Sequence, residues 1–154
     1  MIRRYGVPAR PDIAYQPRPG VYAVLAQGRD VLLTHQAEPV QEYQLPGGGI
    51  DAGESPVAAL HREVLEETGW RISNPRRLGA FRRFTYMPEY DLWAEKICTV
   101  YLARPCLERA APTEIGHLAV WVNLDQASEI LGNSGDRAFV SALRDQSGRK
   151  SRFI

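Results

Sequence analysis

Apolar positions in the first third of the chain fall in short blocks punctuated by glycine and proline. Val21-Tyr22-Ala23-Val24-Leu25-Ala26 is continuous and apolar and lies between Gly20 and Gly28, the pattern of a short strand buried on both faces. Gln27-Gly28-Arg29-Asp30 has turn composition, so residues 31–35 return as the second strand of a hairpin. Residues 78–86, 97–103 and 118–124 read as further strands. Helical spacing begins after Ser55, which suits an N-cap, with Pro56 at the first helical position and Gly69 where a helix should stop. At 100° per residue Val57, Leu60, Val64 and Leu65 share one broad face, the expected core side. Residues 125–131 and 136–144 complete the pattern as two helices.

Several strands, a central helix, more strands and terminal helices predict an α/β (α+β) protein with a mixed sheet sandwiched between helices. Neither a repeat nor a linker divides the chain. The expected organisation is an extended arm over 1–19, one domain over 20–147 and a basic tail over 148–154. Pro8, Pro11, Pro17 and Pro19 exclude a regular helix or a central strand from the arm. Tyr5, Ile13 and Tyr15 are its candidate anchors to the body.

Composition narrows the function classes. The 154 residues are 44% hydrophobic and 24% charged, with 19 basic and 18 acidic residues. So even a balance argues against a general nucleic-acid coat or a membrane-surface protein. Cys98 and Cys106 lack metal-ligand spacing, which suits a reducing compartment. No apolar leader or bilayer-length stretch is present, and the expected location is the cytoplasm.

The central helix carries the chemistry. Glu63, Glu66 and Glu67 stand at i, i+3 and i+4, an arc of roughly 100°. Like charges at this spacing repel by a few tenths of a kcal/mol per pair. They also crowd the helix's second half, where its dipole disfavours anions. By itself such a face is an ordinary solvated surface. The loop before it changes the reading, because Gly47, Gly48 and Gly49 allow the backbone to approach a ligand closely. A tight turn would account for one glycine more readily than for three.

Gly48-Gly49-Ile50-Asp51-Ala52-Gly53-Glu54, seven further residues, then Arg62-Glu63-Val64-Leu65-Glu66-Glu67-Thr68-Gly69-Trp70 resembles the signature of the Nudix hydrolases. All the fixed positions match; Trp70 stands where an aliphatic residue is more usual. At a chance of about 1 in 15 per fixed residue, the match would arise roughly once in 10⁸ starting points. The resemblance implies a Nudix-type α/β/α sandwich. It also implies hydrolysis of a diphosphate linkage in a nucleoside diphosphate derivative or nucleoside triphosphate, with Mg²⁺ or Mn²⁺. By position, Glu63, Glu66 and Glu67 would be metal carboxylates, Gly47 would add its carbonyl, and Arg62 with Glu54 would hold loop to helix. Glu63 or Glu66 would be the general base. Relatives often add an acid from a later loop: Glu114 fits best, with Glu108 and Glu95 as alternatives, and each reads equally well as a surface carboxylate.

Substrate residues are harder to read. Arg82, Arg83, Phe84 and Tyr86 offer cationic and aromatic groups that suit phosphates and a base, although alternate aromatics of a strand often simply pack in the core. His35, ending a strand, is a further candidate. His61 faces away from Glu66, and His117 is the histidine to test as acid or ligand. The expected partner is a nucleotide-type small molecule, with neither membrane nor nucleic acid; a homodimer is the commonest oligomer. Two other readings compete: a catalytically silent nucleotide sensor, and an RNA 5′-end pyrophosphohydrolase, for which Arg3, Arg4, Arg10 and Arg18 would supply charge.

Overall fold

In the computed structural model, residues 2–38, 40–109, 111–113 and 115–151 are described. In chain order their strands are β1 (Arg3–Arg4), β2 (Gln16–Gln27), β3 (Asp30–Gln36), β4 (Glu42–Gln44), β5 (Gly47–Gly49), β6 (Trp70–Met87), β7 (Leu92–Glu108) and β8 (His117–Asn123). The helices are α1 (Pro56–Thr68) between β5 and β6, then α2 (Leu124–Ile130) and α3 (Ser134–Ser151).

The apolar block of residues 21–26 is the middle of β2. One edge of β2 runs parallel to β7, from Gln16 opposite Ala94 to Leu25 opposite Ala103. Its other edge forks. Gly20 to Tyr22 pair antiparallel with β5, whereas Leu25 to Gln27 pair antiparallel with β3. The main path is β1-β6-β7-β2-β3-β4, with β8 antiparallel along the remaining edge of β3.

Residue alternation along β2 divides the core. Val21, Ala23 and Leu25 pack with Ala59, Leu60 and Val64 of α1. Val24 joins Phe81, Val100, Leu124, Ala127, Leu131 and Val140 on the α2 and α3 side. Both faces of the sheet are therefore covered, which explains an unbroken apolar run in place of alternation. The result is the expected α/β/α sandwich. Among the described residues no helix is long and apolar enough to cross a membrane.

Local signals placed α1 correctly. Ser55 Oγ accepts from Ala58 N at 3.2 Å, and Gly69 closes the helix in the left-handed region with its N–H on Leu65 O. Ser55→Ala should lower stability by about 1 kcal/mol; unchanged urea unfolding would show that the cap contributes nothing. The core face is rotated from expectation. Val57 is 41% exposed, while Glu67 and Thr68 are buried with Leu60 and Val64.

Other boundaries also differ. The proline-rich segment supplies strand from Gln16 onward, against the expectation of an arm as far as residue 19. Pro19 O accepts from Ile50 N, so the nitrogens of Pro17 and Pro19 point to this side, away from the β7 ladder. Two prolines are tolerated because neither removes a bond that β7 needs. Tyr5 packs edge-on to Phe81 at 5.8 Å, and Tyr15 lies 4.8 Å from Phe84. β6 begins directly after Gly69. The strand thus starts well before the expected residue 78, and Asn74 and Pro75 are taken up as a bulge between Ser73 opposite Arg104 and Arg76 opposite Leu102. α3 runs past 144 as far as Ser151.

Candidate active site

The site forms where β2 forks. β5 leaves the main sheet there, bringing the glycine loop against the second half of α1. Gly47 has φ +152°, and a Cβ built on it would lie 2.1 Å from Val21 O, so no side chain fits. A Cβ on Gly48 would lie 2.6 Å from both Cδ and Oε2 of Glu63. The three glycines thus have separate explanations: Gly47 is required by β2 and Gly48 by the helix, while a Cβ on Gly49 meets nothing within 4 Å.

Glu67 stands seven residues after Leu60 and so shares its inward stripe. It is 5% exposed. Its Oε2 accepts from Gly47 N at 2.9 Å, and its Oε1 lies 3.8 Å from His117 Nδ1. A carboxylate so deeply placed requires such partners. The Gly47 peptide is thereby tied to the helix.

Arg62 binds loop to helix. Its Nε and Nη2 grip Glu54 at 2.8 and 2.9 Å, and Nη2 also donates to Gly49 O at 3.0 Å. Nη1 donates to Glu63 Oε1 at 3.0 Å and Glu66 Oε2 at 3.3 Å. The two-point grip is the geometry that guanidinium and carboxylate share. With the Asp51 N–H as a second donor, it holds the Glu54 carboxyl down at about 2. Glu54 is therefore a constantly charged brace.

Glu66 is the most accessible of the three helix carboxylates, its side chain 43% exposed. Its backbone carbonyl accepts from Thr113 N at 2.9 Å. Among the described residues no three His, Cys, Asp or Glu side chains close into a ready-made metal cage. Arg62 Nη1 instead sits between Glu63 and Glu66.

A cleft of about 770 Å³ runs from Gly47–Gly49, Glu63 and Glu67 to Arg83, Lys96 and Asp136. Strand alternation along β6 separates Arg83 from Arg82 and Phe84, whereas Tyr86 reaches the cleft from the end of the strand, where Met87, Pro88 and Tyr90 also line it. Arg83 lines the cleft, as does Tyr86 at its rim. Arg82 instead pairs with Glu95 at 3.0 Å, and Phe84 packs on Tyr15. Neither is among the cleft-lining residues. His35 also lies off the cleft, with its ring 4.8 Å from Tyr43. His61 is exposed, whereas His117 lines the cleft beside Glu67. Of the candidate loop acids, Glu95 is held by Arg82, Glu108 is exposed at the end of β7, and Glu114 lies outside the described residues.

Sequence reasoning missed Tyr22, Lys96 and Asp136. Tyr22 lay inside an expected strand and Lys96 one residue before another, and neither position carried a signal of its own. Asp136 carried one signal, its place three residues after Asn133, a suitable N-cap: Asn133 Oδ1 accepts from Asp136 N at 2.8 Å.

Known proteins align with this arrangement. A Bacillus subtilis protein named as a candidate 8-oxo-dGTP diphosphatase is 36% identical over 70 residues, covering 46% of each chain. An RNA pyrophosphohydrolase of a Sulfurovum species is 39% identical over 69 residues, covering 42% of this chain and 43% of its own. The chain thus spans under half the length of these curated relatives. The crystal structure of a MutT NUDIX hydrolase from Burkholderia pseudomallei superposes with a TM-score of 0.67 at 24% identity, covering 82% of this chain and 97% of that one. This likeness establishes the fold. The sequence pattern of the NUDIX domain matches residues 16–143. Because that match runs from β2 into α3 and is not confined to the signature, the chain belongs to the Nudix family.

Proposed function

We propose that the protein is a divalent-metal-dependent hydrolase that splits a diphosphate linkage in a nucleotide-type substrate. One observation carries the reading: Glu63 and Glu66 share Arg62 Nη1 beside a glycine loop with no room for side chains at 47 and 48. Asp51, Glu54, Glu63 and Glu66 surround the single Arg62, all within 3.5 Å, and leave a local excess of negative charge. An all-oxygen donor set of this kind fits Mg²⁺ or Mn²⁺.

Glu63, Glu66 and Glu67 would hold the ion, with Gly47 O as a backbone donor. When bound, such an ion polarises phosphoryl oxygens and lowers the pKa of water. The chain's own groups do the remaining work. Glu54 and Arg62 lock the loop to the helix. Glu67 fixes the Gly47 peptide through its N–H. Glu66, the exposed carboxylate, accepts the proton of the attacking water at a carboxylate oxygen. Arg83 neutralises phosphate oxygens from the opposite wall, and Tyr86 bounds the rim.

The test is a turnover screen with Mg²⁺ or Mn²⁺. It covers nucleoside triphosphates including oxidised ones, nucleotide sugars, ADP-ribose, dinucleoside polyphosphates and 5′-triphosphorylated RNA. Turnover of one class should fall at least about tenfold in Glu66→Gln. Normal turnover in that variant would remove Glu66 from the mechanism. Tight binding without any turnover would replace the hydrolase with a sensor.

A further inference from the structure

We propose that Tyr5 is a positioning residue for the cleft: from the N-terminal arm it sets the stretch of β6 that aims Arg83 at the phosphates. The inference rests on the diphosphate reading, since it deepens the part assigned there to Arg83.

Arg83 lines the cleft. Among the described residues its guanidinium makes no ion pair and no side-chain hydrogen bond. Asp136 attracts it and Lys96 repels it, each through space. Its neighbour Arg82 is instead paired with Glu95 at 3.0 Å. A long side chain without a fixed partner keeps most of its rotamer freedom. The direction of Arg83 therefore depends on its own backbone and on the side chains beside it.

The arm acts on both. Among the described residues the outer edge of β6 is paired by β1 alone, at Phe81 and Arg82. Directly after β1, Tyr5 N donates to Arg82 O at 2.9 Å. That carbonyl belongs to the planar peptide joining Arg82 to Arg83, so the bond fixes the plane from which Arg83 departs.

Side chains two apart on a strand share a face, which puts Phe81 beside Arg83. The Tyr5 ring meets Phe81 edge-on at 5.8 Å and 88°. Helix α3 holds Phe81 as well, through Phe139 at 6.0 Å and through Gly135, where a Cβ would lie 2.3 Å from the Phe81 ring. On the other side of Arg83 in sequence, Tyr15 packs on Phe84 at 4.8 Å. The arm thus brackets Arg83, with Tyr5 on Phe81 before it and Tyr15 on Phe84 after it. Both tyrosines precede residue 16, where the family pattern begins.

Packing alone predicts that truncating Tyr5 costs stability. Positioning predicts more, a loss of phosphate affinity that disappears when Arg83 is absent. Isothermal titration of inorganic tripolyphosphate with Mg²⁺, without any turnover readout, separates the two. It compares wild type, Tyr5→Ala, Arg83→Gln and the double variant in the full chain. Tyr5→Ala should weaken binding about tenfold, the scale of one charge-assisted contact. In the Arg83→Gln background the same change should weaken it less than about twofold. Tyr5→Phe, which keeps the ring, should restore binding to within about twofold of wild type. Thermal melts confirm folding, and Tyr5→Leu replaces Tyr5→Ala in the cycle if the alanine variant does not fold.

Equal weakening in both backgrounds would overturn the proposal, as would no weakening in either or a full loss in Tyr5→Phe. So would a wild type that does not bind tripolyphosphate, or an Arg83→Gln variant that binds it as wild type does. If the coupling holds while no diphosphate is cleaved in the turnover screen, the positioning stands and the hydrolase reading fails. If a diphosphate is cleaved and the coupling is absent, the hydrolase reading stands and the positioning fails.

Discussion

Gly48→Ala should lower turnover at least about 10²-fold while leaving the protein folded. The added methyl would sit 2.6 Å from the Glu63 carboxyl, about 1 Å closer than ordinary contact. Glu63 is a flexible side chain, so the collision is relieved by displacing its carboxylate, and the loss of stability is small. The displacement matters for chemistry because Glu63 shares Arg62 with Glu66, and Arg62 is fixed by Glu54. A misplacement of about 1 Å in such a constellation is worth about 10² in rate. Gly49→Ala is the control: nothing lies within 4 Å of its Cβ, and its loss should be far smaller. Steady-state kinetics with thermal melts on both variants decide the matter. Wild-type turnover in Gly48→Ala would mean that the observed place of Glu63 has no part in the reaction. Gly47→Ala is not an equivalent probe, since its methyl would meet the backbone of Val21 and the chain would have to refold locally.

Features that a short stretch of chain determines are legible in the sequence. Ser55, Pro56 and Gly69 delimit α1 through capping chemistry alone. The block at 21–26 declares itself because both of its faces are covered. Arg62 and Glu54 could be paired through the family resemblance, and the bidentate contact agrees with that pairing. What escaped reading depends on neighbours distant in sequence. Pro17 and Pro19 join a strand because their missing N–H groups face away from β7, which no local pattern reveals. Glu67 looked equivalent to Glu63 and Glu66 until Gly47 N supplied a buried donor for it. Arg82 and Arg83 could not be separated until the pairing of β6 showed which parity faces the cleft.

The fork of β2 connects these observations. Had β3 paired along the whole of β2, its backbone would occupy the place where Gly47 and Gly48 meet α1. By admitting β5 over only three residues, the sheet puts peptide groups without side chains beside the acidic helix. The same fork opens the cleft toward α3, so Asp136 reaches a ligand space from the face opposite α1.

That reach carries a cost in stability, and the cost is measurable. Asp136→Asn should raise stability at pH 8 by up to about 3 kcal/mol, since the carboxyl moves from 3.8 to about 6 on folding and each pK unit is worth about 1.4 kcal/mol. The sign follows from proton linkage. Between these values the folded protein holds a proton that the unfolded chain has already released, so wild-type stability falls as pH rises from about 4 to 6. Above that range the whole cost is present, and below it the cost vanishes. Asparagine keeps an acceptor for Leu45 N and cannot ionise, so its advantage should be largest at pH 8 and shrink toward pH 4. In a chain of this size the difference corresponds to roughly 6 to 12 °C in melting temperature. Glu54 contributes the opposite dependence, stability lost as pH falls from its ordinary value of 4.5 toward about 2, but it is common to both proteins and cancels in the comparison. Melting wild type and variant in parallel at pH 4.5 and pH 8 separates the possibilities. An Asp136→Asn protein that melts lower at pH 8 would make the carboxylate a structural brace for Leu45 N. One that melts higher at pH 8 and no higher at pH 4.5 would show that the buried charge of Asp136, and not the loss of its contacts, sets the difference.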